Sequence, residues 1–256
     1  MERLHSGQVT YGIWATVDSA FTAEIISAEA PDYVCVDQQH GVIDYERALG
    51  MFQAIRAGGS IPITRVVQND PGAIMKTLDA GAAGVIVPVV NSSAEAARAV
   101  SACRYPPTGT RSFGPIRASI LMNSHDLAQL AQVACIVMIE TAEGLRNVED
   151  IASTPGVDAI YVGPADLAVG LGLPPTFDRP EPIFKEAIAR ILKACQHNEI
   201  TPGIQCTDGE MAARYAGMGY RFITVASDAN LMRASIRAEL ARARGRSAVA
   251  VAGGYV

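Results

Sequence analysis

The chain has 256 residues, 49% of them hydrophobic and 18% charged, with a net charge of −5, a balance that predicts a large core and excludes a disordered chain. It has no basic segment to meet a nucleic acid and no apolar run near the ~18 residues of a membrane span. Met1–Gln8 lacks the apolar centre of a signal peptide, so a cytoplasmic protein is expected.

In chain order, Val9–Thr16 alternates weakly and reads as a first strand, followed by helical spacing over Ser19–Glu29. Asp32–Asp37 is a second strand, and Tyr45–Ala57 a helix ended by Gly58-Gly59. Ile61–Val66 is a third strand. Asp70-Pro71 then opens a helix, with an acid at the cap and proline in the first turn. Gly84–Val90 is a fourth strand and Ser93–Cys103 an alanine-rich helix. The rhythm breaks over Tyr105–Leu130, a connection long enough to be functional or to carry an extra element. The uninterrupted apolar run Val133–Ile139, closed by Glu140, reads as a strand buried on both faces. Asp158–Gly163 repeats that pattern and is followed by Asp166. Pro182–Asn198 is a helix, Pro202–Cys206 a strand, Glu210–Gly217 a helix, Arg221–Ala226 the eighth strand and Asn230–Arg244 a last helix. The small, apolar tail Ser247–Val256 is expected to pack on a partner subunit or fray.

Strands alternating with helices, in a chain close to the ~250 residues usual for the fold, predict a (β/α)8 TIM barrel occupying residues 1–256 as one domain. An open doubly wound sheet would want a glycine-rich phosphate turn after its first strand, and none is present. Five scattered cysteines without CxxC spacing point to reduced thiols rather than a disulfide frame or a zinc site.

The polar residues at the strands' carboxyl ends carry the functional signal, because these ends converge on one mouth. They are Asp37 and His40 after the second strand, Arg65 inside the third, Glu140 after the fifth and Asp166 after the sixth. An ionised carboxylate at the end of an apolar strand needs a partner. Two acids from neighbouring strands make half of an oxygen-ligand site for a hard divalent cation. Such a cation chelates a 2-oxo acid and acidifies the adjacent C–H. An arginine near the keto oxygen stabilises an enolate, and a neutral histidine moves the proton. Arg65 also suits an ion pair with Asp37. Asp79, at Leu78-Asp79-Ala80-Gly81, reads from spacing alone as an ordinary helix end. The rival chemistry, a lysine Schiff base, is disfavoured because Lys76, Lys185 and Lys193 all fall within predicted helices. No GxSxG elbow supports a serine hydrolase.

These segments resemble the metal-dependent pyruvate aldolases of the HpcH/HpaI family. The resemblance rests on Asp37-Gln38-Gln39-His40-Gly41, Pro62–Val66, Leu78–Gly81, Val87-Pro88, Arg104–Arg111, Ile139-Glu140-Thr141 and Gly163–Leu167, which span most of the chain. It implies a barrel of the phosphoenolpyruvate/pyruvate kind, with Glu140 and Asp166 binding Mg2+, Mn2+ or Co2+. It implies His40 as acid/base through metal-linked water and Arg65 at the pyruvyl keto oxygen. Asp37 and Asp79 would orient the base or the arginine, and backbone groups near Ala165 and Asp166 would hold the pyruvate carboxylate. It further implies a homo-hexamer, a trimer of dimers with the last helix exchanged between subunits. The expected substrates are a small 2-oxo acid, pyruvate or an analogue such as hydroxypyruvate, and an aldehyde. Gln39, Met138 and Ala168 depart from glutamate, glutamine and serine often found at these positions in the family. Arg111–Ser119 is expected to roof the site, with Arg111 or Arg117 meeting the acceptor or packing across a subunit interface. An acyl-CoA or decarboxylating lyase on the same barrel, and a metabolite-binding relative without turnover, are the alternative readings.

Overall fold

The apolar runs form strands, each hydrogen-bonded in parallel to the next, and the eighth closes on the first. A computed structural model describes residues 2–245. The order is α1 (Glu2–His5), β1 (Thr10–Ala15), α2 (Ala20–Ala28), β2 (Tyr33–Asp37), α3 (Tyr45–Ala57), β3 (Ile61–Arg65), α4 (Pro71–Asp79), β4 (Gly84–Val87) and α5 (Ser93–Cys103). There follow α6 (Ile116–Met122), α7 (Leu127–Leu130), β5 (Ala134–Ile139), α8 (Ala142–Arg146), α9 (Val148–Ala152), β6 (Ala159–Val162) and α10 (Pro164–Gly170). The chain continues through α11 (Pro182–His197), β7 (Thr201–Gln205), α12 (Gly209–Met218), β8 (Phe222–Ser227) and α13 (Asp228–Ala243). The protein is a closed, eight-stranded (β/α) barrel.

The expected cap at Asp70 is present, and four further side chains cap helices in the same way. Ser19, Asp44, Asp70, Ser92 and Asp208 each accept a backbone N–H of the first turn that follows. The fourth strand ends at Val87, short of the expected Val90. Pro88 has no N–H for the ladder, and Val89 turns to φ 53°, a left-handed conformation that a β-branched residue rarely adopts. The long connection carries α6 and α7. The tail from Ser247 lies outside the described residues.

Strand residues alternate between two cores. Val34, Val36, Val85, Val87, Val137, Ile139 and Ile160 meet the surrounding helices. Trp14, Tyr33, Cys35, Ile63, Ile86, Ile136, Met138, Tyr161 and Phe222 fill the barrel interior. Two residues beyond Cys35, Ile63 and Met138 stand Asp37, Arg65 and Glu140. The pleat therefore places these three at the next inward level, at the carboxyl-terminal mouth.

The last helix is an exception to this packing. Asp228 is the one buried residue of α13, while Leu231, Met232, Ile236 and Leu240 are exposed. On α2, Phe21 and Ile25 are exposed as well. None of the described helices is long and apolar enough to cross a membrane.

Candidate active site

Asp37 and Arg65 end neighbouring strands and are register partners. Arg65 Nε donates to Asp37 Oδ1 at 2.9 Å and Arg65 Nη2 to Asp37 Oδ2 at 2.6 Å, a two-pronged pair buried from solvent. Trp14 Nε1 donates to Asp37 Oδ2 at 3.1 Å, and its ring lies 5.0 Å from the Arg65 guanidinium carbon. The backbone N–H groups of Gln39 and His40 donate to Asp37 Oδ1. Burial alone would raise the Asp37 carboxyl, but Arg65, Trp14 and the His40 N–H hold it below its ordinary value. Asp37 thus fixes both the arginine and the turn that carries His40. That turn needs glycine at position 41, where a Cβ would stand 2.1 Å from the Asp37 carbonyl oxygen.

Glu140 follows β5 and is 4% exposed. Its Oε1 accepts the Val89 N–H at 2.7 Å, so the left-handed turn at Val89 aims an amide at the carboxylate. Burial pushes the Glu140 carboxyl up to about 7; the charges of Asp166 and Asp37 push the same way, against Val89 and Arg65. Asp166 lies in the first turn of α10, next to the end of β6. Pro164 has no N–H, and α10 has no side-chain cap, so the Ala165 and Asp166 amides precede the first intrahelical bond, from Leu167 N–H to the Gly163 carbonyl.

A cavity of about 320 Å3 unites these groups, lined by Asp37, His40, Arg65, Glu140, Ala165 and Asp166. The donor set suits a hard cation: two oxygen acids from adjacent strands, one of them buried and disfavoured as a bare anion. Among the described residues no group of three or more His, Cys, Asp and Glu side chains is placed to hold a metal ion.

Asp79 is not among the residues lining the cavity. It ends α4 in the outer helical layer and pairs at 2.6 Å with the fully buried Arg111, which also stacks on Tyr105. Within this protomer Asp37 holds both the turn and the arginine, while Asp79 is engaged with Arg111 in the helical layer. Nor does Arg111–Ser119 roof this protomer's cavity: Arg111 is held by Asp79, and Arg117 donates to the Ala80 carbonyl. Met138 lines the cavity with a thioether, and the Gln39 side-chain oxygen is buried without a hydrogen-bond partner.

Sequence reading missed several residues of the mouth. Trp14 lies in the first strand with nothing in its spacing to set it apart from a core aromatic. Gln205, whose Oε1 accepts Tyr161 Oη–H at 2.8 Å, ends the expected seventh strand, where its side chain drew no notice. Asn230 and Arg233 belong to a helix that reads as a charged surface element. The signal that would have found Trp14 and Gln205 is their inward register at a strand end.

A family model for the HpcH/HpaI aldolase/citrate lyases matches residues 10–235. A hydroxypyruvate/pyruvate aldolase of Rhizorhabdus wittichii is 39% identical over 241 residues, covering 94% of this chain and 96% of that one. A 2-dehydro-3,6-dideoxy-6-sulfogluconate aldolase of Pseudomonas putida is 38% identical, covering 93% of each. The crystal structure of an HpcH/HpaI aldolase/citrate lyase family protein from Burkholderia cenocepacia superposes with a TM-score of 0.88 at 34% identity, covering 95% of this chain and 97% of that one. The chain belongs to the HpcH/HpaI aldolase/citrate lyase family and is a carbon–carbon lyase.

Proposed function

We propose that this protein reversibly cleaves a 4-hydroxy-2-oxo acid into pyruvate, or a close analogue such as hydroxypyruvate, and an aldehyde. The observation that carries the reading is the shared cavity, in which a guanidinium immobilised by Asp37 faces a mouth that also holds Glu140 and Asp166. Glu140 and Asp166 would hold a divalent ion, Mg2+ or Mn2+ by the hardness of their oxygens, with Co2+ a further candidate. When bound, the ion supplies Lewis acidity to the keto oxygen of the substrate. Arg65 places its guanidinium where negative charge gathers on that oxygen as the C3–C4 bond breaks, and the Asp37 fork keeps it there. His40 takes the proton of the 4-hydroxyl, directly or through a water, and the proton's return to C3 gives pyruvate. The Ala165 and Asp166 amides receive the substrate carboxylate.

The exposed apolar residues of α13 and of α2 support a homo-oligomer in which the last helix crosses to a neighbour, a trimer of dimers in this reading. Five buried free cysteines agree with a cytoplasmic enzyme.

The test is pyruvate release from racemic 4-hydroxy-2-oxopentanoate. Activity lost on chelation and regained with Mg2+ or Mn2+, and lost in His40→Ala, supports the reading; a chelated enzyme or a His40→Ala variant at full rate refutes it. Gly163 offers a finer check. A Cβ there would stand 2.8 Å from Glu140 Oε2 and 3.0 Å from Glu140 Cβ, so Gly163→Ala displaces the carboxylate. Calorimetric titration with Mn2+ should show affinity falling about 10–100-fold, the scale on which misplaced metal-site support acts.

A further inference from the structure

Two arginines line the cavity, and they are differently employed. Arg65 is buried and committed to Asp37 through both prongs of its fork. Arg233 stands exposed on α13, and among the described residues no carboxylate pairs with it. Asn230, one turn earlier on the same helix, lines the same cavity. The start of α13 is anchored, because Asp228 accepts the Thr16 N–H at 2.9 Å, the Thr16 hydroxyl at 2.7 Å and the Val17 N–H at 3.1 Å. Arg233 therefore projects from the second turn of a helix whose start is tied to the segment that follows β1.

The strand order gives this arginine its place relative to the chemistry. In the closed barrel, β8 lies three strands from β3, which carries Arg65, and three from β5, which precedes Glu140. A three-carbon acid held at Arg65, Glu140 and Asp166 leaves the β8 side of the cavity for its reaction partner. With Asp37 neutralised by Arg65, and the Glu140–Asp166 pair neutralised by a divalent ion, Arg233 is the lining's uncompensated charge.

We propose that Arg233, assisted by Asn230, forms the acceptor subsite, and that it selects aldehydes bearing an anionic group at the end remote from the carbonyl. The inference rests on the aldolase reading above and adds to it the class of acceptor and the residue that chooses it. The guanidinium offers a planar fork to a carboxylate, phosphate or sulfonate, and the Asn230 amide supplies a neutral donor beside it. A neutral aldehyde of equal length leaves that fork unused.

The experiment measures kcat/KM for aldol addition of pyruvate to two matched pairs, succinic semialdehyde against butanal and glyceraldehyde 3-phosphate against glyceraldehyde. In the wild type the anionic member of at least one pair is preferred; which pair shows it tells carboxylate from phosphate selection. In Arg233→Gln the anionic-to-neutral ratio falls by about tenfold or more, through KM of the aldehyde, the scale of a charge-assisted hydrogen bond. Arg233→Lys recovers part of the ratio, and Arg233→Glu inverts it. A wild type that adds pyruvate to butanal and glyceraldehyde without preferring the charged partners overturns the subsite and leaves the aldolase reading standing. An Arg233→Gln variant with an unchanged ratio also overturns it, including the case where KM for pyruvate rises equally with every acceptor. A wild type that adds pyruvate to none of the four aldehydes overturns the subsite too, and pyruvate release from 4-hydroxy-2-oxopentanoate then shows whether the aldolase reading falls with it.

Discussion

Arg65→Ala is expected to cost both the reaction and the fold's margin of stability. The catalytic loss should be about 10²–10³-fold in kcat, the effect of removing one fixed donor from a developing oxyanion. The stability loss has a separate origin. Asp37 is 1% exposed and takes two hydrogen bonds from Arg65, so truncation leaves a buried carboxylate whose remaining donors are Trp14 and two backbone amides. Breaking a buried pair by removing one partner typically costs about 3–5 kcal/mol. The cost should appear as an earlier midpoint in urea unfolding. Arg65→Lys separates the two losses: it keeps the positive charge beside Asp37 and recovers part of the stability. It lacks the planar fork, so kcat stays depressed. A variant that folds poorly but retains full kcat would remove Arg65 from the chemistry.

Glu140→Gln is expected to abolish measurable turnover and, in the metal-free protein, to raise stability above neutral pH. The amide keeps an oxygen for the Val89 N–H, so the local geometry survives. The sign of the stability change follows from the carboxyl's shift from near 4.5 to about 7. Between those values the folded protein holds a proton that the unfolded chain has released. Stability therefore falls as pH rises through that window, by at most about 3 kcal/mol, and the loss is complete above about 7. Metal-free Glu140→Gln should melt higher than metal-free wild type at pH 8, and the gap should close near pH 4.5. Mg2+ or Mn2+ should raise the melting temperature of the wild type and leave that of Glu140→Gln almost unmoved. Turnover in the variant, or an undiminished metal response, would count against Glu140 as a ligand.

The barrel was legible because its strands are buried on both faces, and such strands cannot hide their apolar runs. The mouth was legible for the same reason: Asp37, Arg65 and Glu140 are charges set into those runs, and a charge there demands a purpose. Other parts were not legible. Trp14 is as apolar as its neighbours, and its indole N–H finds Asp37 only after β1 and β2 pair. Asp79 sits at a helix end, and spacing does not say which way such an end faces; its partner Arg111 arrives from a loop 32 residues away. Arg233 belongs to a helix whose charges look like any solvated face, and only the closure of β8 against β1 brings that face to the mouth. The end of the fourth strand was misjudged because an apolar run conceals Val89, whose backbone turns to serve Glu140.

The central claim is that this mouth removes a proton from the methyl group of a small 2-oxo acid, and that it does so only with a divalent ion held by Glu140 and Asp166. The direct measurement is deuterium uptake at the pyruvate methyl in D2O, read by mass spectrometry with no aldehyde present. Wild-type protein with Mg2+ or Mn2+ should label the methyl far faster than buffer and metal alone, while chelated wild type and metal-supplemented Glu140→Gln should not. Labelling that persists undiminished after chelation, or a metal-loaded wild type that labels no faster than buffer, would contradict the account.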